Sequence, residues 1–329
     1  MYAIALVAAL LTSAAGCSAQ NRGLPKSETR LMLDTVCTIT VYGAGDNSII
    51  TEAFDLCAKL EALLSRTIEG SDVNRVNSAC GAAVEVDPLT AQVINAGLYY
   101  GDLSGGMFDI TIGRLIRLWD FGGAPSVPPG AKLVEAISSI DYKKVSLADN
   151  TVQLGDPEAL LELGGLAKGF VAEQLALFVM ESGARGVIVD LGGDLCFKGA
   201  KEDGSPWRIG VRDPDGGKND LIAVIDTDEA SAATSGVYER RFEHDGISYH
   251  HILDPGTGMP AESDIVSATV LASNAMDADA LSTVALLLGS AKAAGALEKS
   301  PAFIGALLVL GTGELITLGN VNVSSASAA

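Results

Sequence analysis

The chain has 329 residues, 48% of them hydrophobic, with 41 acidic against 22 basic side chains and a formal net charge of −19. Such a length allows one large domain or two small ones, and the apolar fraction supports a sizeable core and excludes wholesale disorder. An acidic surface of this kind repels polyphosphate, so nucleic acid is excluded as a partner bound through a general basic patch. An anionic small ligand would need a local device, such as a metal ion or converging backbone N–H groups.

Residues 1–16, MYAIALVAALLTSAAG, are apolar and small, and Cys17 follows at once. The run is shorter than the roughly 20 residues of a membrane span and has the character of a secretory signal peptide. Ala14, Ala15 and Gly16 before Cys17 resemble the lipobox of bacterial lipoproteins, in which the cysteine is lipidated and becomes the mature N-terminus. Two features depart from it: Ala14 stands where Leu is usual, and no Lys or Arg precedes Arg22. An ordinary cleaved signal peptide is the alternative. The expected organisation is a signal peptide over 1–16, a lipidated Cys17 with a polar tether to 27, a folded domain over 28–320 and a disordered tail over 321–329. Its expected location is the cell membrane, as an exported lipoprotein facing the periplasm or the cell exterior.

Residues 35–43, TVCTITVYG, alternate with period two and predict a strand. Residues 49–65 carry Ile50, Phe54, Cys57 and Leu64 at helical period, and 90–103 predict a second helix closed by SGGMFD. Pro125, Pro128 and Pro129 punctuate a loop, and 145–154 read as a hairpin through Asp149-Asn150. ELGGLAKG leads into a helix over 170–181, and GVIVDLGGD is a buried strand with a glycine-rich end. WRIGVRDP, LIAVIDT and ISYHHILDP are further strands, 274–288 an Ala-rich helix, and AFIGALLVL with ELITLG a final hairpin. Strands and helices mix without strict βαβ alternation, which predicts an α+β fold in one integrated domain. Of the remaining cysteines, Cys37 and Cys57 read as small core residues, and neither they nor Cys80 and Cys196 form a CxxC pair. Export permits disulfides, but the pairing is not readable from sequence.

GGLAKG places Lys168 before its second glycine, so it is no GxxxxGK[ST] phosphate loop, and no GxGxxG follows a strand. It offers a flexible loop entering a helix N-terminus, suited to a phosphate or pyrophosphate, or equally a tight turn with a surface lysine. Asp279 and Thr283 lie four positions apart on an inward helix face, with Asp277 pointing elsewhere. An inward carboxylate needs a partner: a hard cation such as Mg2+ is one, and a hydrogen bond to Thr283 or a nearby backbone N–H is another. All three histidines fall in HDGISYHHILDP; in a strand His250 and His251 face opposite ways and cannot chelate one metal together.

Read together and in order, LDTVCTITVYG, SDVNRVN, GMFDITIGRLIRLWDFG, ELGGLAKGFVAEQLA, VDLGGD, ATSGVYERRF, YHHILDPGTGMP and DADALSTVALLLG resemble the ApbE family, the FAD:protein FMN transferases, from about Leu31 to Leu318. The resemblance implies a single compact, T-fold-like α+β catalytic domain with FAD in a cleft between mixed sheets and flanking helices. It implies Mg2+-dependent transfer of FMN from FAD to a Thr or Ser hydroxyl of an acceptor protein, forming a phosphoester and releasing AMP. The implied acceptor is a subunit of a redox pump or of extracellular electron transfer.

Carried over block by block, Asp279, Thr283 and the Gly165 carbonyl match the metal ligands. Lys168 matches a position near the FAD phosphates, and His251 is the candidate base, with an ordinary histidine pKa near 6.5 suited to the task. Met107, Phe108 and Asp109 match an FAD-lining segment, Leu33 a flavin-packing position, and Glu162 a flavin contact. Three positions depart from the family pattern: Leu33-Asp34-Thr35 for the frequent Met-Gly-Thr, Glu162 for Asp, and Thr67 where an aromatic often stands. Two other activities remain open at this point: an FAD pyrophosphatase with water as acceptor, and a flavin-binding lipoprotein without turnover.

Overall fold

The computed structural model describes residues 24–43, 48–201, 203–217, 219–228 and 230–326. The expected signal peptide and Cys17 lie outside the described residues.

The N-terminal half opens with β1 (Lys26–Met32), β2 (Thr35–Tyr42), α1 (Ser48–Leu64), α2 (Asp72–Ser78), β3 (Val84–Glu85), α3 (Pro88–Ser104), α4 (Gly113–Trp119) and α5 (Gly130–Ile137). Local chemistry sets several ends. Ser71 caps α2 by accepting from Asn74 N, and Asp87 caps α3 ahead of a proline in its first turn. Gly105, at φ 67°, closes α3 in the left-handed conformation. The hairpin β4 (Val145–Ala148) and β5 (Thr151–Leu154) follows, with Asp149 at φ 50° in its turn.

The second half runs α6 (Ala167–Glu181), β6 (Gly186–Leu191), β7 (Asp194–Gly199), β8 (Trp207–Arg212), β9 (Leu221–Thr227), β10 (Ser231–Gly236), β11 (Arg241–His244), β12 (Ile247–His250) and β13 (Ile265–Ala272). It ends with α7 (Ala275–Leu288), α8 (Ser290–Leu297), β14 (Phe303–Leu310), β15 (Leu315–Gly319) and β16 (Asn322–Ser325). An eight-stranded antiparallel sheet, ordered β1-β2-β6-β7-β10-β13-β14-β15, is the centre. Helices α6 and α7 cover one face and the three-stranded sheet β16-β9-β8 covers the other. Burial on both faces explains why β13 and β14 are apolar almost without interruption. Ala268 and Val270 face the helices while Leu271 packs with Trp207 and Ile209 behind. A satellite core, built on Trp119, Leu133 and Leu253, carries α4, α5 and the β11–β12 hairpin.

The α+β architecture in one integrated unit agrees with the expectation, and three boundaries differ. Helix α6 starts at Ala167, so Lys168 lies in its first turn and not in a flexible loop. Residues 322–325, expected in a disordered tail, form β16 and pair with β9 from Asn322↔Asp226 to Ser325↔Ala223. Strand β1 begins at Lys26, within the expected tether.

Candidate active site

A cleft of about 590 Å3 is lined by the first turns of α6, by α7, by β7 and β10 at the middle of the sheet and by the β1–β2 turn, within the size range of small-molecule sites. It gathers every site residue expected in the described chain: Leu33, Met107, Phe108, Asp109, Glu162, Gly165, Lys168, His251, Asp279 and Thr283.

Its floor is the crossing of α6 on α7. Asn274 caps α7 by accepting from Asp277 N, and Tyr100 donates to Asp277 at 2.5 Å, so that carboxylate is turned away from the cleft as its spacing predicted. Asp279 and Thr283, one turn further on, face inward. Gly169 lets the helices meet: a Cβ there would lie 2.2 Å from the Ala275 carbonyl oxygen. The close approach brings the Gly169 N–H to Asp279 Oδ2 at 3.0 Å. Asp279 is 3% exposed, and burial, reinforced by Asp194 and opposed by Lys168, pushes its carboxyl up to about 7.

Around that carboxylate the other donors are oxygens. Thr283 Oγ1 lies 3.2 Å from Ser235 Oγ, and a Cβ on Gly165 would stand 3.9 Å from the same Thr283 oxygen. Asp279, Thr283 and Gly165 line the same cleft, and a carboxylate, a hydroxyl and a backbone carbonyl are oxygen ligands of the kind hard divalent cations take; a cation there would offset the cost of the buried Asp279 charge. Lys168 is ion-paired with Asp194. Burial alone would lower its pKa, but Asp194 and Asp279 outweigh that and hold it above the usual lysine range.

His251 lies just past β12, in a bend, so it does not simply oppose His250 across a strand; His251 lines the cleft and His250 does not. Its Nδ1 is buried without a hydrogen-bond partner in the described structure. Burial first, then the Arg240 guanidinium, lowers its pKa to about 4. The ordinary value near 6.5 expected from sequence is thus corrected downward, and the ring is neutral at pH 7.

Also lining the cleft, Glu162 is held by Arg66 at 2.5 Å and by the Gly164 N–H at 2.9 Å. Asp109 lines the cleft, yet its carboxylate is spent on structure: Oδ1 accepts from Thr111 N and Oγ1, and Oδ2 from Tyr142 N. Leu33 and Asp34 both adopt left-handed conformations, φ 53° and 55°, in the β1–β2 turn. Glu61 Oε1 receives the Leu33 N–H at 3.1 Å.

Sequence reasoning did not single out Ser235, Asp194 or Arg240. Each sits inside a quoted block (ATSG, VDLGGD, YERR), but their convergence depends on a strand, a turn and a hairpin meeting in space. Arg240 lines the cleft beside His251 and Lys168 and forms no ion pair among the described residues.

The ApbE family model matches residues 33–308. The FAD:protein FMN transferase of Treponema pallidum is 32% identical over 321 residues, covering 91% of this chain and 89% of that protein. The Escherichia coli K12 protein of the same name is 31% identical over 71% of this chain and 69% of its own length. Among solved structures, the ApbE protein of Thermotoga maritima superposes with a TM-score of 0.83 at 32% identity, covering 90% of this chain and 97% of that one. The flavin transferase ApbE of Vibrio cholerae superposes with 0.79 at 26% identity, covering 93% and 98%. With its family match, its relatives and its fold in agreement, the chain belongs to the ApbE family.

Proposed function

We propose that this chain is an FAD:protein FMN transferase, moving FMN from FAD to a Thr or Ser hydroxyl of an acceptor protein and releasing AMP. The observation that carries the reading is the oxygen set of Asp279, Thr283 and Gly165, joined in one cleft by Lys168 and a neutral His251. These three residues would hold Mg2+. When bound, Mg2+ supplies charge neutralisation and Lewis-acid polarisation at the FAD pyrophosphate.

The chain's own residues do the rest. Lys168, kept charged by Asp194 and Asp279, and the unpaired Arg240 offer cationic donors to the phosphate groups in a protein whose net charge is otherwise repulsive. Phe108 and Met107 supply apolar lining, and the Arg66–Glu162 pair supplies a polar one. Neutral His251 accepts the proton of the acceptor hydroxyl as that oxygen bonds the phosphorus on the riboflavin side. The bond to the bridging oxygen breaks, and AMP departs with it.

The acceptor belongs to a redox pump or an extracellular electron-transfer system, and Cys17 carries a lipid anchor that holds the chain on the exported face of the cell membrane. The family membership and the N-terminal sequence support this placement. Among the described residues no helix is long and apolar enough to cross a membrane.

AMP release from FAD is measured with and without Mg2+, beside a threonine-containing flavin-acceptor domain followed by intact mass. Metal-dependent AMP with an FMN-sized gain on the acceptor is the expected result. AMP with free FMN and no mass gain would make the protein a pyrophosphatase, and bound FAD without AMP would make it a flavin carrier.

A further inference from the structure

Two polar contacts, one helical turn apart, join α6 to α7. Gly169 is the third residue of α6, so its N–H has no acceptor within its own helix, and Asp279 Oδ2 takes it at 3.0 Å. One turn on along α6 and one turn back along α7, Glu173 Oε2 accepts the Ala275 N–H at 3.0 Å. Ala275 opens α7 and is 1% exposed, so its N–H lacks both an intrahelical acceptor and access to solvent. The same carboxylate reaches β7. Its Oε1 pairs with Lys198 Nζ at 2.6 Å, and Cys196 Sγ donates to its Oε2 at 3.3 Å. Glu173 stands outside the cleft, yet it ties together the three elements that present Lys168, Asp279 with Thr283, and Asp194 to it.

We propose that Glu173 is a positioning residue for the metal set: by holding the first N–H of α7 it fixes the register of α7 on α6 and so places the Asp279 carboxylate. Gly169 lets the helices approach, but a missing side chain does not interlock, and one hydrogen bond leaves α7 free to pivot about it. A second directional bond one turn away removes the pivot. The requirement is strict, because metal–ligand distances tolerate about 0.2 Å, a small fraction of the roughly 1.5 Å rise per helical residue. The effect on the metal rests on the function proposed above; the register does not, and it is read separately.

The full chain is compared with three variants. Glu173→Met keeps the side-chain volume without an acceptor, and Glu173→Met/Lys198→Met also removes the cation left unpaired, which guards against a variant that does not fold. Lys198→Met breaks the same ion pair but keeps the Ala275 bond. Hydrogen exchange resolved to single amides by fragmentation reads the register, and Mn2+ alone, followed by loss of its free-ion paramagnetic resonance signal, probes the metal site. In the folded Glu173 variants the Gly169 amide should exchange at least about 10-fold faster while Leu175, deeper in α6, keeps its protection. Their Mn2+ dissociation constant should rise about 10-fold, as for loss of other outer-shell partners, and Lys198→Met should change neither readout by more than about twofold. Parental protection at Gly169, or faster exchange along all of α6 alike, would overturn the register role and leave Glu173 merely structural. A loosened Gly169 with parental Mn2+ affinity would overturn the metal-positioning role. If the parent chain binds no Mn2+, the metal reading itself fails, and exchange at Gly169 alone decides the register.

Discussion

At the residue scale the site depends on charges whose states the fold has moved. Asp279 is the only carboxylate of the proposed metal set, so Asp279→Ala should lower Mg2+-dependent AMP release by at least about 100-fold, since loss even of outer-shell partners costs about 10–100-fold. Full turnover in that variant would refute the assignment. His251 yields a pH prediction whose sign can be worked out. Its folded pKa lies near 4 against an ordinary 6.5, so the acidic limb of kcat/KM should fall near pH 4–5 rather than at 6.5. Arg240→Gln removes the second-largest cause of that depression and should move the limb upward at saturating Mg2+; a limb that persists unchanged, with turnover kept, in His251→Asn would show that His251 is not the base. The same shift acts on stability. Between those values the unfolded chain binds a proton that the fold refuses, so this residue withdraws stability as pH falls from 6.5 through 4. His251→Asn should flatten that part of the urea-stability profile.

At the scale of elements, two glycines in helices make opposite predictions. Gly169 stands where α6 crosses α7, and its missing Cβ would meet the Ala275 carbonyl at 2.2 Å and Asp279 Cβ at 2.8 Å. Backbone cannot rotate away, so Gly169→Ala should cost about 3 kcal/mol or more in denaturant unfolding, the upper end for overpacking, and should weaken Mg2+-dependent FAD binding. Gly295, exposed in α8, has nothing within 4 Å of a built Cβ, and Gly295→Ala should gain about 0.4–1 kcal/mol. Equal effects at the two positions would discredit the crossing as the device that places Asp279. The contrast also shows what the sequence made legible. Strong periods such as TVCTITVYG and the i, i+4 spacing of Asp279 and Thr283 were readable because one face of each element is buried. The start of α6 was not, because the Gly-Gly before it and Gly169 inside its first turn read as a loop, and Gly169 is helical there because α7 packs against it too closely for a side chain. Strand β16 was missed for a related reason: its Asn-Val-Ser-Ser sequence lacks an apolar pattern, and its order comes from the backbone ladder with β9. Nor could the depressed pKa of His251 be read, since it arises from tertiary burial and from Arg240 on the neighbouring hairpin.

At the scale of the whole molecule, the net charge of −19 and the anionic substrate are in tension. Two fields act on an approaching pyrophosphate. The distant one, summed over the acidic surface, is repulsive, and salt screens it because its charges lie farther away than a Debye length of about 10 Å at 0.1 M. The near one, from Lys168 and Arg240 lining the cleft, is attractive and is screened less, because a ligand bound there would lie well within a Debye length of both and Lys168 is partly shielded from water. Raising ionic strength at fixed Mg2+ should therefore speed FAD association while leaving its dissociation rate almost unchanged. Stopped-flow quenching of flavin fluorescence between about 20 and 200 mM salt measures both rates, and Arg240→Gln separates the fields. That variant should dissociate faster yet keep the same positive dependence of association on salt. If association in the parent protein instead slowed with salt, the cleft cations would govern encounter as well as retention, and the acidic surface would have no part in selecting what enters.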